Sequence, residues 1–347
     1  MKNFINWGLR IRRDLSRNYY SVWENLKTTR LDLGEEIKLP YERSEFYDVG
    51  ITEKCNAMCN FCYVSADNTK QDYQGISETW KKWISTFPED KKINLEDDEI
   101  FKDILGKPDE NTTYEELKFK LKVIWYLKNN LPIVYTEKPY QIAIGSVGEP
   151  TIHPDLSKFL ETVFETKVVP NYTTNGIVLA SDTPQSEELL EATRNFVGGV
   201  AVSYGNKKIR TQADKAIEKL LAKGDCKVMI HHLLSDKNSV DELLEAETKW
   251  GDDIHYHVLL PLKRHGRSND EMTEETYLYL TEKINKLGLT NLAFGMWFLP
   301  WMKKYPGSIN CWDYPGETYS SNLLLKENKI IITPSSYNLG VAKEINL

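Results

Sequence analysis

The chain has 347 residues, which is enough for one large domain with extensions or for two domains. Hydrophobic residues make up 41% of it, so a sizeable core can form, and the net charge of −7 argues against a protein that coats nucleic acid. No apolar run reaches membrane-spanning length, and residues 1–30 lack the apolar block of a secretory signal. Five cysteines, three of them clustered, do not make a disulfide framework, so we expect a cytoplasmic protein.

Residues 1–45 are predicted to form an N-terminal helix and a polar linker. Within residues 1–30, apolar residues such as Phe4, Trp7 and Ile11 alternate with arginines. A helix packed on the body of the protein, with its basic face in solvent, accounts for this pattern. A helix on a membrane surface, or against an acidic leader peptide, is the alternative interpretation.

A short strand at residues 45–51 leads into three closely spaced cysteines. These are Cys55, Cys59 and Cys62, in the spacing C-x3-C-x2-C. A [4Fe–4S] cube has four iron corners, so three thiolates from one loop leave one iron open to a small molecule. A structural zinc site uses four ligands, usually in paired C-x2-C units, and the sequence has no second pair. An iron–sulfur or zinc protein without further chemistry remains an alternative.

Residues 67–110 are rich in Asp, Glu, Lys and Asn and carry Trp80 and Trp83 on a predicted helix. We predict that this region is an insertion or lid beside the cysteine loop, or a surface elaboration. A second helix is predicted over residues 113–130, ended by Pro132. Its apolar residues at helical spacing are Leu117, Leu121, Ile124 and Leu127.

From residue 139 onward, predicted strands alternate with predicted helices. The strands cover residues 141–144, 168–173, 199–205, 228–234 and 254–260. Helices between them include 185–194, 212–223 and 239–249. This alternation predicts a parallel α/β sheet, and the strand before the cysteines brings the number of βα repeats to six. The C-terminal residues 266–347 are predicted to contain a helix near 273–287 and a β-hairpin around residues 322–332.

The cysteine triplet resembles the signature of the radical S-adenosylmethionine (SAM) superfamily. In that family three cysteines hold one [4Fe–4S] cluster, and its open iron chelates the amino and carboxylate groups of SAM. The resemblance covers about residues 46–265 and implies a partial (β/α)6 barrel with the functional loops at its C-terminal mouth. The predicted fold class is therefore α/β: this barrel, an N-terminal helix and linker over 1–45, and a C-terminal α+β extension over 266–347.

Further residues fall in the order of the family's motifs. Gly148-Glu149-Pro150 resembles the glycine–glutamate motif, where close backbone and a carboxylate meet the SAM amino group; Val147 replaces the first of the two usual glycines. The resemblance implies a turn at the barrel mouth for Asn175, a ribose- or carboxylate-binding role for Ser203 and an adenine contact for Phe61. The implied cofactor-binding residues are Phe61, Gly148, Glu149, Asn175 and Ser203.

The resemblance also implies the reaction. The cluster, reduced by an external donor such as flavodoxin or ferredoxin, cleaves SAM to methionine and a 5′-deoxyadenosyl radical, which abstracts hydrogen from the substrate. A peptide or protein substrate is favoured, because the aromatic-rich C-terminal extension and the acidic 67–110 region can frame an extended molecule. The alternative is a small nucleotide-like or phosphorylated substrate, bound by the basic cluster Lys263, Arg264, His265 and Arg267.

Three predictions concern single side chains. Cys311 lies in the extension expected to cover the open end of the barrel, so it is a candidate catalytic hydrogen donor to the substrate radical; a buried inert thiol is the alternative. His231 and His232 end the fifth strand, so one of them can face the barrel interior, or both can be core residues. Cys226 precedes that strand at the closed end and is predicted to be structural.

Overall fold

A computed structural model describes residues 7–14, 19–32, 44–93, 114–224, 226–309, 320–333 and 342–347. The strands in these ranges are β1 Leu9–Asp14, β2 Tyr19–Glu24, β3 Lys27–Asp32, β4 Phe46–Gly50, β5 Lys91–Lys92, β6 Ile133–Tyr135, β7 Gln141–Ile144, β8 Val169–Thr174, β9 Gly199–Ser203, β10 Lys227–Leu234, β11 Tyr256–Pro261, β12 Leu292–Phe294, β13 Ser320–Lys326, β14 Lys329–Thr333 and β15 Lys343–Asn346. The α-helices are α1 Ile76–Ile84, α2 Tyr114–Lys128, α3 Leu156–Glu165, α4 Ile177–Ala180, α5 Pro184–Phe196, α6 Arg210–Lys223, α7 Lys237–Trp250, α8 Glu274–Leu287 and α9 Leu299–Lys304.

The centre of the molecule is the parallel sheet predicted from the sequence. Strands β4, β7, β8, β9, β10 and β11 pair in that order, and every pair is parallel. Helices α3 to α7 come between them along the chain and bury their apolar faces in the main core. Because all six strands run parallel, their carboxyl ends lie at one edge of the sheet, where loops can form a site. The six predicted βα strands are confirmed.

The C-terminal extension joins this sheet at both of its ends. Strand β12 pairs in parallel with β11, and β13 pairs in parallel with β4. Strands β13 and β14 form the predicted antiparallel hairpin, which buries Leu323, Leu325, Ile330 and Ile332 in the main core. The hairpin is therefore part of the large, mostly parallel sheet, next to the strand that precedes the cysteines.

The predicted N-terminal helix is wrong. Within the described residues, β1, β2 and β3 form a second sheet with β6 and β5, and β1 lies between β2 and β6. The alternation that suggested an amphipathic helix has a period of two, which is the period of a strand. Leu9 and Ile11 pack against α2 in a small separate core.

Arg10 and Arg12 of β1 are buried instead of forming a solvated basic face. The guanidinium of Arg10 donates to Thr136 Oγ1 at 3.1 Å and to the carbonyl of Lys167, and it lies 3.6 Å from the Asp90 carboxylate. Arg12 donates to the carbonyl of Ser44 at 3.1 Å. Buried guanidinium groups need such partners because an unpaired buried charge is costly.

Residues 67–93, the described part of the predicted insertion, do not form one. Helix α1 is the helix that follows the first barrel strand, and Trp80 and Trp83 are buried in the main core. Trp83 meets Tyr47 of β4 edge-on, with ring centroids 5.1 Å apart. Residues 94–110 of that prediction lie outside the described ranges.

The predicted helix over 113–130 is present as α2, but its buried face differs from the predicted one. Phe119, Val123 and Tyr126 pack in the small core. Of the four residues that indicated the helix, Leu117, Leu121 and Ile124 are exposed, while Leu127 packs partly buried against the small core. None of the helices in the described ranges combines the length and apolarity needed to cross a bilayer.

Candidate active site

A cavity of about 700 Å³ opens where the parallel strands end. Its size lies within the range typical of small-molecule and cofactor sites. Every described residue that the sequence analysis assigned to the cluster or the cofactor lines this one cavity: Cys55, Cys59, Phe61, Cys62, Gly148, Glu149, Asn175 and Ser203. The fold thus brings together residues that are up to 148 positions apart (203 minus 55).

The cysteine loop is held by backbone contacts and by one arginine. The N–H of Cys55 donates to the carbonyl of Asp67 at 2.9 Å. Arg267 donates from Nε to the carbonyl of Cys59 at 2.8 Å and from its guanidinium to the carbonyl of Ala66 at 2.9 Å. Its backbone N–H donates to the carbonyl of Cys62 at 2.9 Å. Arg267, predicted only as part of a basic substrate-binding cluster, therefore supports the loop that carries the thiols.

Two polar groups donate hydrogen bonds to the sulfurs. Asn206 Nδ2 lies 3.1 Å from Cys59 Sγ, and the N–H of Ala57 lies 3.5 Å from Cys55 Sγ. Burial raises the pKa of Cys55, and the nearby Glu149 and the other cysteines raise it further. Burial also raises the pKa of Cys59, which Asn206 partly offsets. Metal binding at these thiols must therefore release protons.

The donor set fits an iron–sulfur cluster better than a single metal ion. The described residues contain no group of three His, Cys, Asp or Glu side chains arranged to hold one ion. A tetrahedral zinc ion, with Zn–S bonds of about 2.3 Å, needs its ligands close together. Three thiols on one short loop that face a cavity, with hydrogen bonds to the Cys55 and Cys59 sulfurs, match the ligands of a larger cluster.

Gly148 lets the loop after β7 lie against the segment that leads to the cysteines. A Cβ at this position would come within 2.4 Å of the carbonyl oxygen of Thr52 and 2.7 Å of that of Lys54. The N–H of Glu149 donates to the carbonyl of Lys54 at 2.8 Å. Gly148 therefore allows close contact between these two backbone segments, although Val147 stands before it, and its contact with SAM stays a prediction.

The Glu149 carboxylate is taken up by internal hydrogen bonds. Its Oε1 accepts from Thr151 Oγ1 at 2.5 Å and from Thr174 Oγ1 at 2.8 Å, and its Oε2 accepts from the N–H of Asn175 at 2.7 Å. Only 4% of the residue is exposed, and burial raises its pKa while the donated hydrogen bonds lower it. Glu149 thus ties the end of β8 to the loop after β7.

Asn175 connects this network to the cysteine loop. Its Nδ2 donates to Asn56 Oδ1 at 2.7 Å and lies 4.0 Å from Cys55 Sγ. Gly176 follows in the left-handed region, at φ 82°, which turns the chain into α4. The turn predicted at the end of the third barrel strand therefore stands beside the first cysteine.

The two histidines of β10 face opposite sides of the sheet. His231 lines the cavity, and burial lowers its pKa to about 4. His232 is buried on the other face, where its Nε2 lies 2.9 Å from His257 Nδ1. His257 Nε2 in turn lies 2.7 Å from a Glu247 carboxylate oxygen. The prediction that one histidine can face the interior is therefore met by His231.

Other predicted side chains lie in different surroundings. Lys263 lines the cavity beside the Trp297 ring, and burial lowers its pKa to about 7. Arg264 is exposed and lies 3.6 Å from Glu271. Cys226 packs half-buried against the main core just before β10. Cys311 lies outside the described residues, so its role as a hydrogen donor remains a prediction.

Asp48 was missed by the sequence analysis. It lies on β4, lines the cavity, and has a pKa raised to about 6 by burial. The sequence did contain a signal for Asp48, namely an acidic residue within a strand of the sheet. Asp48 lies on the same face of that strand as Phe46 and Gly50.

The Asp48 carboxylate is expected to destabilise the ligand-free protein at neutral pH. The pKa of Asp48 is higher in the folded than in the unfolded protein. The resulting loss of folding stability is therefore absent below about pH 4, grows between pH 4 and 6, and is complete above that range. Since the cavity admits water, we expect Asp48→Asn to raise the free energy of unfolding at pH 7 by about 1–2 kcal/mol. Urea unfolding at pH 4 and pH 7 checks this. An equal effect at both pH values would contradict it.

Gly266 is a second residue without a sequence signal. Its φ is +63°, and a Cβ there would come within 2.4 Å of the carbonyl oxygen of Cys62 and 2.3 Å of that of Tyr63. We expect Gly266→Ala to displace the cysteine loop and to lower the iron content after reconstitution at least about twofold. Gly288→Ala is the matched control: φ is +67° there, with nothing within 4 Å, so only the backbone strain of about 1 kcal/mol remains. Equal iron contents in the two variants would contradict the prediction.

The sequence matches no protein-family model and no curated protein. The fold matches solved structures of SuiB from Streptococcus suis. One of them aligns with a TM-score of 0.54 at 13% identity and covers 97% of this chain and 84% of that chain. SuiB bound to S-adenosylmethionine aligns with a TM-score of 0.53 at 14% identity, over 87% of this chain and 63% of that chain.

SuiB bound to the precursor peptide SuiA aligns with a TM-score of 0.53 at 13% identity, over 87% of this chain and 62% of that chain. The chain thus spans less than two thirds of SuiB in the two ligand-bound structures. At these identities the likeness concerns the fold. The mixed α/β architecture with a mostly parallel sheet, expected from the alternation of strands and helices, is therefore present, and this chain shares the fold of SuiB.

Proposed function

We propose that the chain is a radical SAM enzyme with one [4Fe–4S] cluster. The observation that carries the proposal is the meeting of Cys55, Cys59 and Cys62 with the Gly148-Glu149 turn and Asn175 in one cavity at the mouth of a parallel sheet. A protein that only carries electrons or zinc has no need of such a cavity. When bound, the cluster and SAM supply a 5′-deoxyadenosyl radical that abstracts hydrogen from a C–H bond.

In this proposal the residues of the chain bind and orient the reactants. Cys55, Cys59 and Cys62 hold the cluster. Arg267 keeps the carbonyls of Cys59 and Ala66 in place, and Asn206 holds the Cys59 sulfur. The two loops that carry Gly148 and Asn175 border the space for SAM, together with Phe61 and Ser203. Apolar side chains of Leu233, Leu260 and Phe294 also line the cavity and would keep water from a radical.

The test is anaerobic reconstitution with iron and sulfide. We expect about four irons per chain and, with dithionite and SAM, release of 5′-deoxyadenosine. Zinc without iron under these conditions, or a cluster that never cleaves SAM, would overturn the proposal. We propose a cytoplasmic, reducing location and an external electron donor such as flavodoxin or ferredoxin, because the cluster must be reduced before each SAM cleavage.

The substrate class that we propose is a peptide or protein. Helix α2 exposes an apolar stripe at helical spacing, formed by Tyr114, Leu117, Leu121, Ile124 and Trp125. Leu121 is 57% exposed and Trp125 is 48% exposed. A stripe of this kind is typical of surfaces that bind another chain, and a small phosphorylated substrate gives it no role. SuiB, whose fold this chain shares, has been solved with a precursor peptide.

A charge within the stripe should weaken peptide binding. The probe is a fluorescently labelled short peptide encoded next to the gene of this protein. We expect Leu121→Glu to lower the affinity of the protein for this peptide at least about tenfold. The reason is that a central apolar contact is lost and a charge is buried at the interface. Release of 5′-deoxyadenosine without peptide should not change. Leu287→Glu, at an apolar residue 55% exposed on α8, is the control. Equal affinities of both variants would favour the small-substrate alternative.

A further inference from the structure

One wall of the cavity carries a group of hydrogen-bond acceptors, and Asp48 is its centre. Asp48 lies on β4, opposite Ala143 of β7 on one side and Asn322 of β13 on the other. Both Asp48 and Asn322 line the cavity. The Asp48 carboxylate receives no hydrogen bond from any residue in the described ranges. The C-terminal hairpin, which supplies Asn322, is thus part of the wall around this carboxylate.

Two further polar atoms at this wall also lack partners within the described part of the chain. The Oδ1 of Asn322 is buried without a donor, while the Nδ2 of the same amide donates to Thr333 Oγ1 at 3.3 Å. The Oγ of Ser146 is buried and unpaired as well. Native proteins rarely leave several buried polar atoms unsatisfied in one place, and such atoms call for a missing partner.

Gly50 lets the loop after β7, which carries Ser146, lie close to the strand face that carries Asp48. It shares a strand face with Asp48, because it lies two residues further along β4. A Cβ at Gly50 would lie 2.6 Å from Val147 Cγ2, 2.7 Å from Leu324 Cδ2 and 3.1 Å from Ser146 Oγ. The Ser146 hydroxyl therefore lies over the next position on the Asp48 face, and a side chain at Gly50 would displace this loop.

The chemistry of the missing partner follows from the acceptors. A carboxylate and an amide oxygen accept hydrogen bonds only, and the carboxylate adds a negative charge that needs compensation in a buried place. A phosphate or a carboxylate would be repelled. A positively charged nitrogen group with several N–H donors, either an ammonium or a guanidinium group, satisfies the charge and the acceptors together.

We propose that Asp48, with Asn322 and Ser146, binds the cationic nitrogen group of the substrate. This assignment rests on the peptide-modifying function proposed above and makes it specific: a basic side chain of the substrate enters the cavity. The apolar residues Leu233, Leu260 and Phe294 line the same cavity and can contact its aliphatic stem. Asp48 is a positioning and specificity residue, and it sits apart from the cluster ligands, seven residues before Cys55.

The test compares three capped amino acids by ligand-observed NMR titration. The probes are Nα-acetyl-lysine methylamide, its arginine counterpart and the norleucine counterpart, which keeps a linear apolar side chain and lacks the charge. We expect the lysine or the arginine probe to bind at least about tenfold more tightly than the norleucine probe. Which of the two binds better identifies the cationic group. Equal affinities of all three probes would overturn the proposal.

The variants locate the effect. Asp48→Asn should abolish the preference for the charged probes, and Ser146→Ala, which removes only the hydroxyl oxygen, should weaken it about threefold. Asp253→Asn, which removes an exposed carboxylate far along the chain, should keep the full preference. A preference that survives in Asp48→Asn would overturn the assignment. SAM affinity should be unchanged in Asp48→Asn, and its loss would assign Asp48 to the cofactor instead and overturn the proposal.

Because these titrations need neither iron nor SAM cleavage, their outcome is separate from that of the function proposed above. If the protein discriminates the probes but never releases 5′-deoxyadenosine, the result supports this binding site and contradicts the proposed radical function. If it releases 5′-deoxyadenosine but binds the probes equally, the result supports the function and contradicts the binding site.

Discussion

Replacing Cys55, Cys59 and Cys62 together by alanine is expected to abolish iron binding and the release of 5′-deoxyadenosine. The three thiols are the cysteines that line the cavity, and no other group of metal-ligating side chains is present in the described residues. Without them, the described residues hold no ligand set for iron and sulfide. Iron and sulfide analysis, visible absorption and 5′-deoxyadenosine release after anaerobic reconstitution measure the effect, which should be a loss to background.

The single variants and a control sharpen this result. We expect each single cysteine-to-alanine change to reduce activity to near background, because a cluster with two protein ligands is exposed and labile. Cys226→Ala is the matched control: this thiol packs half-buried against the main core, so iron content should stay near four per chain. Normal SAM cleavage in the triple variant would show that the reaction does not use this loop.

Replacing Glu149 by alanine is expected to have the second largest effect. The carboxylate accepts hydrogen bonds from Thr151, Thr174 and the N–H of Asn175, all of them buried. Its removal leaves buried donors unsatisfied, so we expect the free energy of unfolding to fall by about 2–5 kcal/mol. Asn175 loses its anchor beside the cysteine loop, so SAM affinity should fall at least about tenfold, while the cluster ligands remain.

Urea unfolding of the cluster-free protein and equilibrium SAM binding to the reconstituted protein measure the two effects. The stability and the SAM affinity of Glu149→Gln should lie between those of the wild type and of Glu149→Ala. The amide keeps one acceptor oxygen, but its NH2 group faces a hydrogen-bond donor of the surrounding residues. Glu161→Ala, an exposed carboxylate on α3, should change stability by less than about 0.5 kcal/mol. Unchanged SAM affinity in Glu149→Ala would mean that this turn does not border the SAM site.

Local patterns were sufficient to predict the strands of the parallel sheet. Most of them contain short apolar runs, as in Gly199–Ser203, and from residue 139 onward segments of helical period lie between them. The cysteine spacing was equally informative, because three cysteines within one loop need no tertiary contact to be recognised. The hairpin of β13 and β14 was found for the same reason, since its turn and its two apolar runs are adjacent in sequence.

The N-terminal region could not be predicted from its local pattern. Basic and apolar residues alternate in Leu9–Asp14, which fits the solvated face of a helix as well as a strand. Partners that are distant in sequence decide between helix and strand here. Strand β6 pairs with β1, and Thr136, Lys167 and Ser44 accept hydrogen bonds from the arginines of β1. For α2, the helical period was predicted correctly but the buried face was not. The position of β1 and β6 decides which side of this helix is buried, and that position is set by tertiary structure.

The sequence by itself determined the strands of the parallel sheet and the spacing of the three cysteines, because each of these depends on neighbours within about ten residues. The tertiary structure alone decided which side chains meet. Arg267 reaches the carbonyl of Cys59 across 208 positions, and Asn206 reaches the Cys59 sulfur across 147. Asp48 became a site residue only when β13 placed Asn322 beside it, since a carboxylate on a strand reveals its partners only after the sheet has formed.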